Sequence, residues 1–74
     1  MRRQVPTELG NKIQSARRDA GFKNPESFAA ALGVSPATVS RYEQGRMVPS
    51  LARLMKISAI TGHSVGYFLE PAAA

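Results

Sequence analysis

Phe28-Ala-Ala-Ala-Leu-Gly-Val-Ser-Pro-Ala-Thr-Val-Ser-Arg-Tyr-Glu-Gln-Gly45 reads as two short helices with a tight turn between them. Phe28, Ala29 and Leu32 recur at helical spacing, and the run stops at Gly33, which tolerates the positive φ of a tight turn. Ser35-Pro36 then restarts the chain as a helix, a side-chain cap followed by a proline whose missing N–H costs nothing there. A connection this short, Gly33-Val34-Ser35, forces the two helices to cross steeply. Val34 is placed to plug the corner.

At about 100° per residue the faces of the second of these helices separate cleanly. Val39 and Tyr42 point one way, with Glu43 beside them. Ala37, Ser40, Arg41 and Gln44 fall on the opposite side. The first face is the packing face. The second is small, polar and cationic, which suits a helix that enters a DNA major groove about 12 Å wide. Arg41 is the one long donor able to bridge guanine O6 and N7. Ser40, with Thr38 on the edge, can reach base edges or phosphate, and Ala37 offers only a methyl group.

The rest of the chain continues the helical pattern. Leu9, Ile13, Ala16 and Ala20 form one stripe after Pro6-Thr7, with Thr7 as cap and Gly21 as stop. Asn24-Pro25 starts the helix that carries Phe28. Pro49-Ser50 starts a fourth, with Leu51, Leu54, Ile57 and Ile60 or Thr61 facing inward and Gly62 ending it. Ser64 caps a last turn bearing Val65, Phe68 and Leu69, and Pro71 forbids its continuation. Nothing alternates with the period of a strand. The expectation is an all-α, compact five-helix bundle.

Length and charge bound the function. Seventy-four residues make one domain, 1–74, with a core of about 7–70, a basic arm 1–6 and a tail 71–74. Ten Lys and Arg against five Asp and Glu leave a net charge of +5, which points to a polyanionic partner. There is no cysteine, which removes disulfides, thiolate zinc sites and thiol catalysis. No apolar run nears the roughly 18 residues of a membrane span, and the start carries no signal-peptide pattern, so a cytoplasmic location follows. His63 is the only histidine and stands without the neighbours a metal site needs. Nucleophile elbows, phosphate loops and paired carboxylates are absent too. The chain reads as no enzyme, with no cofactor, no metal and no small-molecule ligand.

The stretch from Phe28 to Gly45, followed by Pro49-Ser50-Leu51 and Thr61-Gly62, resembles the Cro/C1-type helix-turn-helix family of phage repressors and related bacterial transcription regulators. The similarity runs from about Leu9 to Leu69. It implies a lambda repressor-like fold whose third helix reads the major groove, usually as a dimer on a near-palindromic site. Carried over by position, it implies groove contacts from Ser35, Pro36, Ala37, Thr38, Ser40 and Arg41. Ser35 is equally well explained as a helix cap, and both roles are compatible. Backbone contacts would fall near Asn24 to Glu26, and at Gln44 and Arg46. The family commonly pairs an arginine with a glutamate where Arg17 and Glu43 stand, which implies an interhelical salt bridge, with Arg17 also lending charge to a phosphate. Tyr67 becomes the candidate for a dimer surface and Phe68 a core residue.

Two departures stand out. The family usually has a glutamine near the start of the second helix, where this chain has Pro25 and one extra residue in the preceding loop. Pro36 stands where related repressors often place a base-reading polar residue, which leaves readout by shape. Arg2 and Arg3 are either a solubilising terminus or an arm that reaches DNA. Lys12, Arg18, Lys23, Arg53 and Lys56 read as a solvated basic face. The function implied is a sequence-specific, double-stranded DNA-binding regulator, a repressor acting as a homodimer near the nucleoid of a bacterial or phage-infected cell. The alternative is an antitoxin that binds a toxin protein and represses its own operon. A membrane-surface role is disfavoured, because the basic residues spread over several helices.

Overall fold

The computed structural model describes residues 5–70. Arg2, Arg3 and the tail 71–74 lie outside them. The described chain forms α1 (Val5–Asp19), α2 (Pro25–Leu32), α3 (Pro36–Glu43), α4 (Leu51–Thr61) and α5 (Val65–Leu69). The expected all-α, five-helix architecture is what the chain adopts.

Four of the five helices open on a side-chain cap that the residue order predicts. Asn24, Ser35, Ser50 and Ser64 accept hydrogen bonds from the N–H groups of Ser27, Thr38, Arg53 and Tyr67, at 2.9, 3.2, 3.1 and 3.1 Å. Each such cap stabilises a helix start by about 1 kcal/mol. The start of α1 differs from the reading of the sequence. It begins at Val5, two residues before Thr7, so Thr7 sits inside the first turn and is not the cap. Pro6 is tolerated there because first-turn N–H groups have no helical partner to lose.

The core is a single cluster. Ile13, Phe28, Leu32, Val39 and Ile57 are its largest fully buried members, with Leu9, Ala16, Ala29, Tyr42, Leu54 and Phe68 around them. Phe22 closes one side, edge-on to Phe28 with ring centroids 5.3 Å apart. Both α1 and α2 pack against α3, while α4 and α5 cover the far side.

Three expected core positions lie outside this cluster. Ala20 is exposed, one residue past the end of α1. Leu51 is 63% exposed, because steps of three residues drift about 60° each and leave it roughly 120° from Ile57. Leu69 is 60% exposed, since it neighbours Phe68 at about 100° and only one of the two can face inward. Lys12 departs the other way. Its ammonium, expected in solvent, donates to the carbonyl of Tyr67 at 3.1 Å and to that of Glu70, and sits 5.6 Å from the centroid of the Tyr67 ring. A cation at the end of α5 satisfies carbonyls that a five-residue helix cannot satisfy itself.

α1 comes very close to the end of α3. A Cβ at Gly10 would lie 2.6 Å from the carbonyl oxygens of both Tyr42 and Glu43. Those are backbone atoms, so relief requires moving a helix. Gly10→Ala should therefore destabilise the domain by about 1–3 kcal/mol through overpacking. The gain of about 1 kcal/mol that alanine brings to an open helix position does not rescue it. Urea denaturation measures the sign directly, and a stabilised variant would mean that α1 and α3 can separate at no cost.

Candidate nucleic-acid interface

The interface is built from the turn between α2 and α3 outward. Gly33 adopts φ 83° and gives its N–H to the carbonyl of Ala29 at 2.8 Å, and Val34 donates to the same carbonyl at 3.0 Å. The turn thereby ends α2 with its carbonyls satisfied. Val34 is half-buried against the core, as a corner plug should be. Ser35 follows as the cap of α3, and its hydroxyl oxygen is 3.0 Å from that of Thr38.

The faces of α3 fall where the spacing puts them. Val39 and Tyr42 are buried, while Pro36, Ala37, Arg41 and Gln44 are exposed and Thr38 and Ser40 half-buried. On the outward side Gln44 donates from Nε2 to the Ser40 hydroxyl at 3.0 Å. Arg46 is exposed just beyond the helix, and Asn24 and Glu26 are exposed at the start of α2. Pro25, between them, is half-buried. The outward surface of α3 therefore presents one guanidinium, short hydroxyls and small apolar groups, with no bulky aromatic in the way.

On the inward side lies a buried ion pair. Arg17 donates from Nε to Glu43 Oε2 at 2.6 Å and from Nη2 to Oε1 at 3.3 Å. Its Nη1 donates to the carbonyl of Phe22 at 2.8 Å. Gln14 adds a longer bond, 3.5 Å, to Glu43 Oε1. The side chains of Arg17 and Glu43 are 3% and 7% exposed. The salt bridge implied for this pair is present. The phosphate contact implied for Arg17 is not: all its guanidinium nitrogens are spent inside the fold and the group is closed off from a ligand. Two partners went unnoticed in the sequence. Gln14 stands one turn before Arg17 on the same side of α1, a visible signal, whereas the Phe22 carbonyl has no side-chain signature.

Among the described residues no three His, Cys, Asp or Glu gather as metal ligands, and no helix is long and apolar enough to cross a membrane.

Two short helices set by a tight turn, the second with a clean outward face, define a helix-turn-helix DNA-binding domain. The family model described as helix-turn-helix matches residues 13–68. The chain belongs to that family, of the Cro/C1 type, whose members are DNA-binding transcription regulators and not enzymes. Among solved structures it is similar to the clp gene regulator ClgR from C. glutamicum, at 32% identity and a TM-score of 0.79, covering 88% of this chain and 82% of that one. It also shares its fold with a hypothetical transcription factor, NHTF, from Neisseria, at 24% identity and a TM-score of 0.81, covering 92% of this chain and 77% of that one. No curated protein matches it.

Removing one member of a buried pair strands the other charge, which costs on the order of 3–5 kcal/mol. Glu43→Ala should therefore lower the free energy of unfolding by that much, a large part of a small domain's stability. Gln44→Ala, one residue away on the exposed side, should change it by less than about 0.5 kcal/mol. Equal unfolding midpoints in urea for the two variants would show that the pair contributes nothing.

Proposed function

We propose that this regulator is a repressor that occupies a near-palindromic operator as a dimer and limits access of polymerase. The observation that carries the proposal is the outward face of α3, where Ala37, Ser40, Arg41 and Gln44 stand clear of the core that Val39 and Tyr42 enter. In this reading Arg41 makes the main base contact, with Ser35, Pro36, Ala37, Thr38 and Ser40 close to the groove wall. Arg46 and Gln44 approach the phosphates beyond the end of α3. At the start of α2 the backbone N–H of Glu26 and the amide of Asn24 supply the second clamp, since Pro25 has no N–H to give. Arg2 and Arg3, outside the described residues, would add positive charge as an arm in this reading. Such a role belongs with the nucleoid, in the cytoplasm of a bacterial or phage-infected cell.

Dimerisation rests on readout arithmetic. One helix in one groove makes few base contacts, and two-fold symmetry doubles them at a spacing of about 34–36 Å. Tyr67, the candidate for the pairing surface, is half-buried with its ring stacked on His63 at 4.3 Å, and Leu69 beside it is exposed. That is a small apolar surface, which favours pairing on DNA over a stable free dimer. The antitoxin reading keeps the same DNA face and draws on different surface: Met47 and Val48 before α4, with Leu51 and Met55 on it, are exposed and leave room for a second protein. A toxin that co-purifies from the native host would favour it.

Selection of bound duplexes from a random pool tests the proposal. A repressor of this kind enriches a near-palindrome whose half-sites lie one helical turn apart, and sedimentation of the complex gives two protomers per duplex. Absence of any enriched sequence counts against it, as does a one-to-one complex on an asymmetric site. On the selected site Arg41→Ala should cost about 1–3 kcal/mol of specific affinity and relax preference at one base pair per half-site. Log affinity should fall with log salt by about 0.9 per neutralised phosphate. An equal loss of specific and non-specific binding would make Arg41 a phosphate contact.

A further inference from the structure

We propose that the outward face of α4, with the turn that leads into it, is a docking surface for an acidic amphipathic helix of a partner protein. The surface lies on a different helix from the proposed reading face, and the proposal does not depend on how the domain reads DNA.

The face follows from rotation. Leu54 and Ile57 turn α4 into the core, and about 100° per residue puts Ala52 and Ala59 on the opposite side. Both are exposed. Met55 and Lys56 flank that midline by about 50° on either side and are exposed too. Leu51 lies beyond Met55 and Arg53 beyond Lys56, so one half of the face is apolar and the other cationic. Leu51 and Met55 are more than half exposed, as is Val48 in the turn before the helix, where Met47 is exposed as well. Arg46 stands exposed in the same turn. Single apolar residues on a surface mean little. Two adjacent ones, followed by two more a helical turn apart, make a patch of the kind that binds a partner.

Charge selects the occupant. Between Glu43 and Glu70 the chain contains no Asp or Glu, while Arg46, Arg53 and Lys56 all fall in that span. Two copies of this chain, each at net charge +5, would set cations against cations if they paired through this face. Nucleic acid matches the cationic half alone, because a phosphate backbone offers nothing to Leu51 and Met55. A helix with an apolar stripe and a flank of carboxylates matches both halves at once. Its backbone can come close, since the midline carries only the methyl groups of Ala52 and Ala59, seven residues apart and so in line along the helix. Among the described residues there are helices only, which leaves no sheet edge for an extended peptide, whereas an amphipathic helix laid on an apolar face is a recurring mode of recognition.

The test uses three synthetic peptides of about 18 residues, long enough to form a helix. The first carries Leu at i, i+3, i+4 and i+7 with Glu on the neighbouring positions. The second replaces every Leu with Ser, and the third replaces every Glu with Lys. Fluorescence anisotropy is read with the full chain as wild type, Met55→Ser, Lys56→Glu and Arg18→Glu, the last altering an exposed cation on α1. Wild type should bind the first peptide and neither of the others. Met55→Ser should weaken that binding about tenfold, the loss of one side chain covered in the complex. Lys56→Glu should weaken it more than Arg18→Glu does, although both change the net charge equally. Circular dichroism confirms that each variant is folded. No binding of the first peptide overturns the proposal, and so does equal binding of the second. Equal losses in Lys56→Glu and Arg18→Glu, with none in Met55→Ser, overturn it as well by reducing the contact to general charge attraction. Self-association in sedimentation that Met55→Ser abolishes would give the face to a second copy. Adsorption to phosphatidylglycerol vesicles that Met55→Ser weakens, without peptide binding, would give it to a lipid surface. Either result overturns the proposal, while selection of DNA duplexes bears on the operator reading alone.

Discussion

The orientation of α3 depends on the ion pair between Arg17 and Glu43, and most of the structure is arranged around keeping it intact. α3 is eight residues long and buries only Val39 and Tyr42, a thin attachment for a helix whose other side must stay open. Glu43 is its last residue, where the helix dipole disfavours a carboxylate. Arg17 answers that charge with two bonds and uses its remaining nitrogen on the Phe22 carbonyl, which ties the chain after α1 to the same point. Taking both groups out of water is expensive, and only such complete bonding makes the exchange favourable. Gly10 completes the junction by letting α1 come against the carbonyls of Tyr42 and Glu43 with no side chain between.

Short helices make this kind of fastening necessary. A helix under about 12–15 residues is marginal in water on its own, and four of the five here fall below that length. Their ends are fixed by caps at Asn24, Ser35, Ser50 and Ser64, and their sides by one shared core. The smallest helix, α5, adds Lys12 as an external cap that reaches across from α1. The caps act locally, while the shared core and the Lys12 contact join distant elements, so the helices depend on one another. The three-residue turns Gly33–Ser35 and Gly62–Ser64, each with a glycine at positive φ, set the angle between the helices they join.

That division explains what could be read from residue order. Caps, stops and the faces of α3 are local, fixed by residue type and a rotation of about 100°, and they were legible. The Arg17–Glu43 pair was visible through resemblance. Its burial was not, because exposure is a property of what packs over a side chain. A phosphate contact by Arg17 is the expectation that this burial overturns. Gly10 carries no signal at all: a glycine inside a helical stripe looks like a weakness until another backbone is laid against it. Leu51 and Leu69 show the opposite failure, apolar residues counted inward where small angular differences decide the face. The bond between Gln44 and Ser40 joins residues one turn apart and lies within reach of spacing arguments.

The anchored side and the open side of α3 are physically one problem. Apart from Arg41 and Gln44, the outward face of α3 carries Pro36, Ala37, Thr38 and Ser40, all short. Short side chains lose little freedom on binding, and they discriminate only when the helix axis itself comes close to the bases. Long flexible side chains could tolerate a loosely held helix by bending to find their partners. This set cannot, because a displacement of about 1 Å turns a hydroxyl hydrogen bond of about 2.7–2.8 Å into a broken one. In the proposed readout, the side chains that hold α3 from behind matter alongside those that face the groove. The buried junction behind the helix, where Arg17, Glu43 and Gly10 meet, sets how far α3 stands out from the body of the protein.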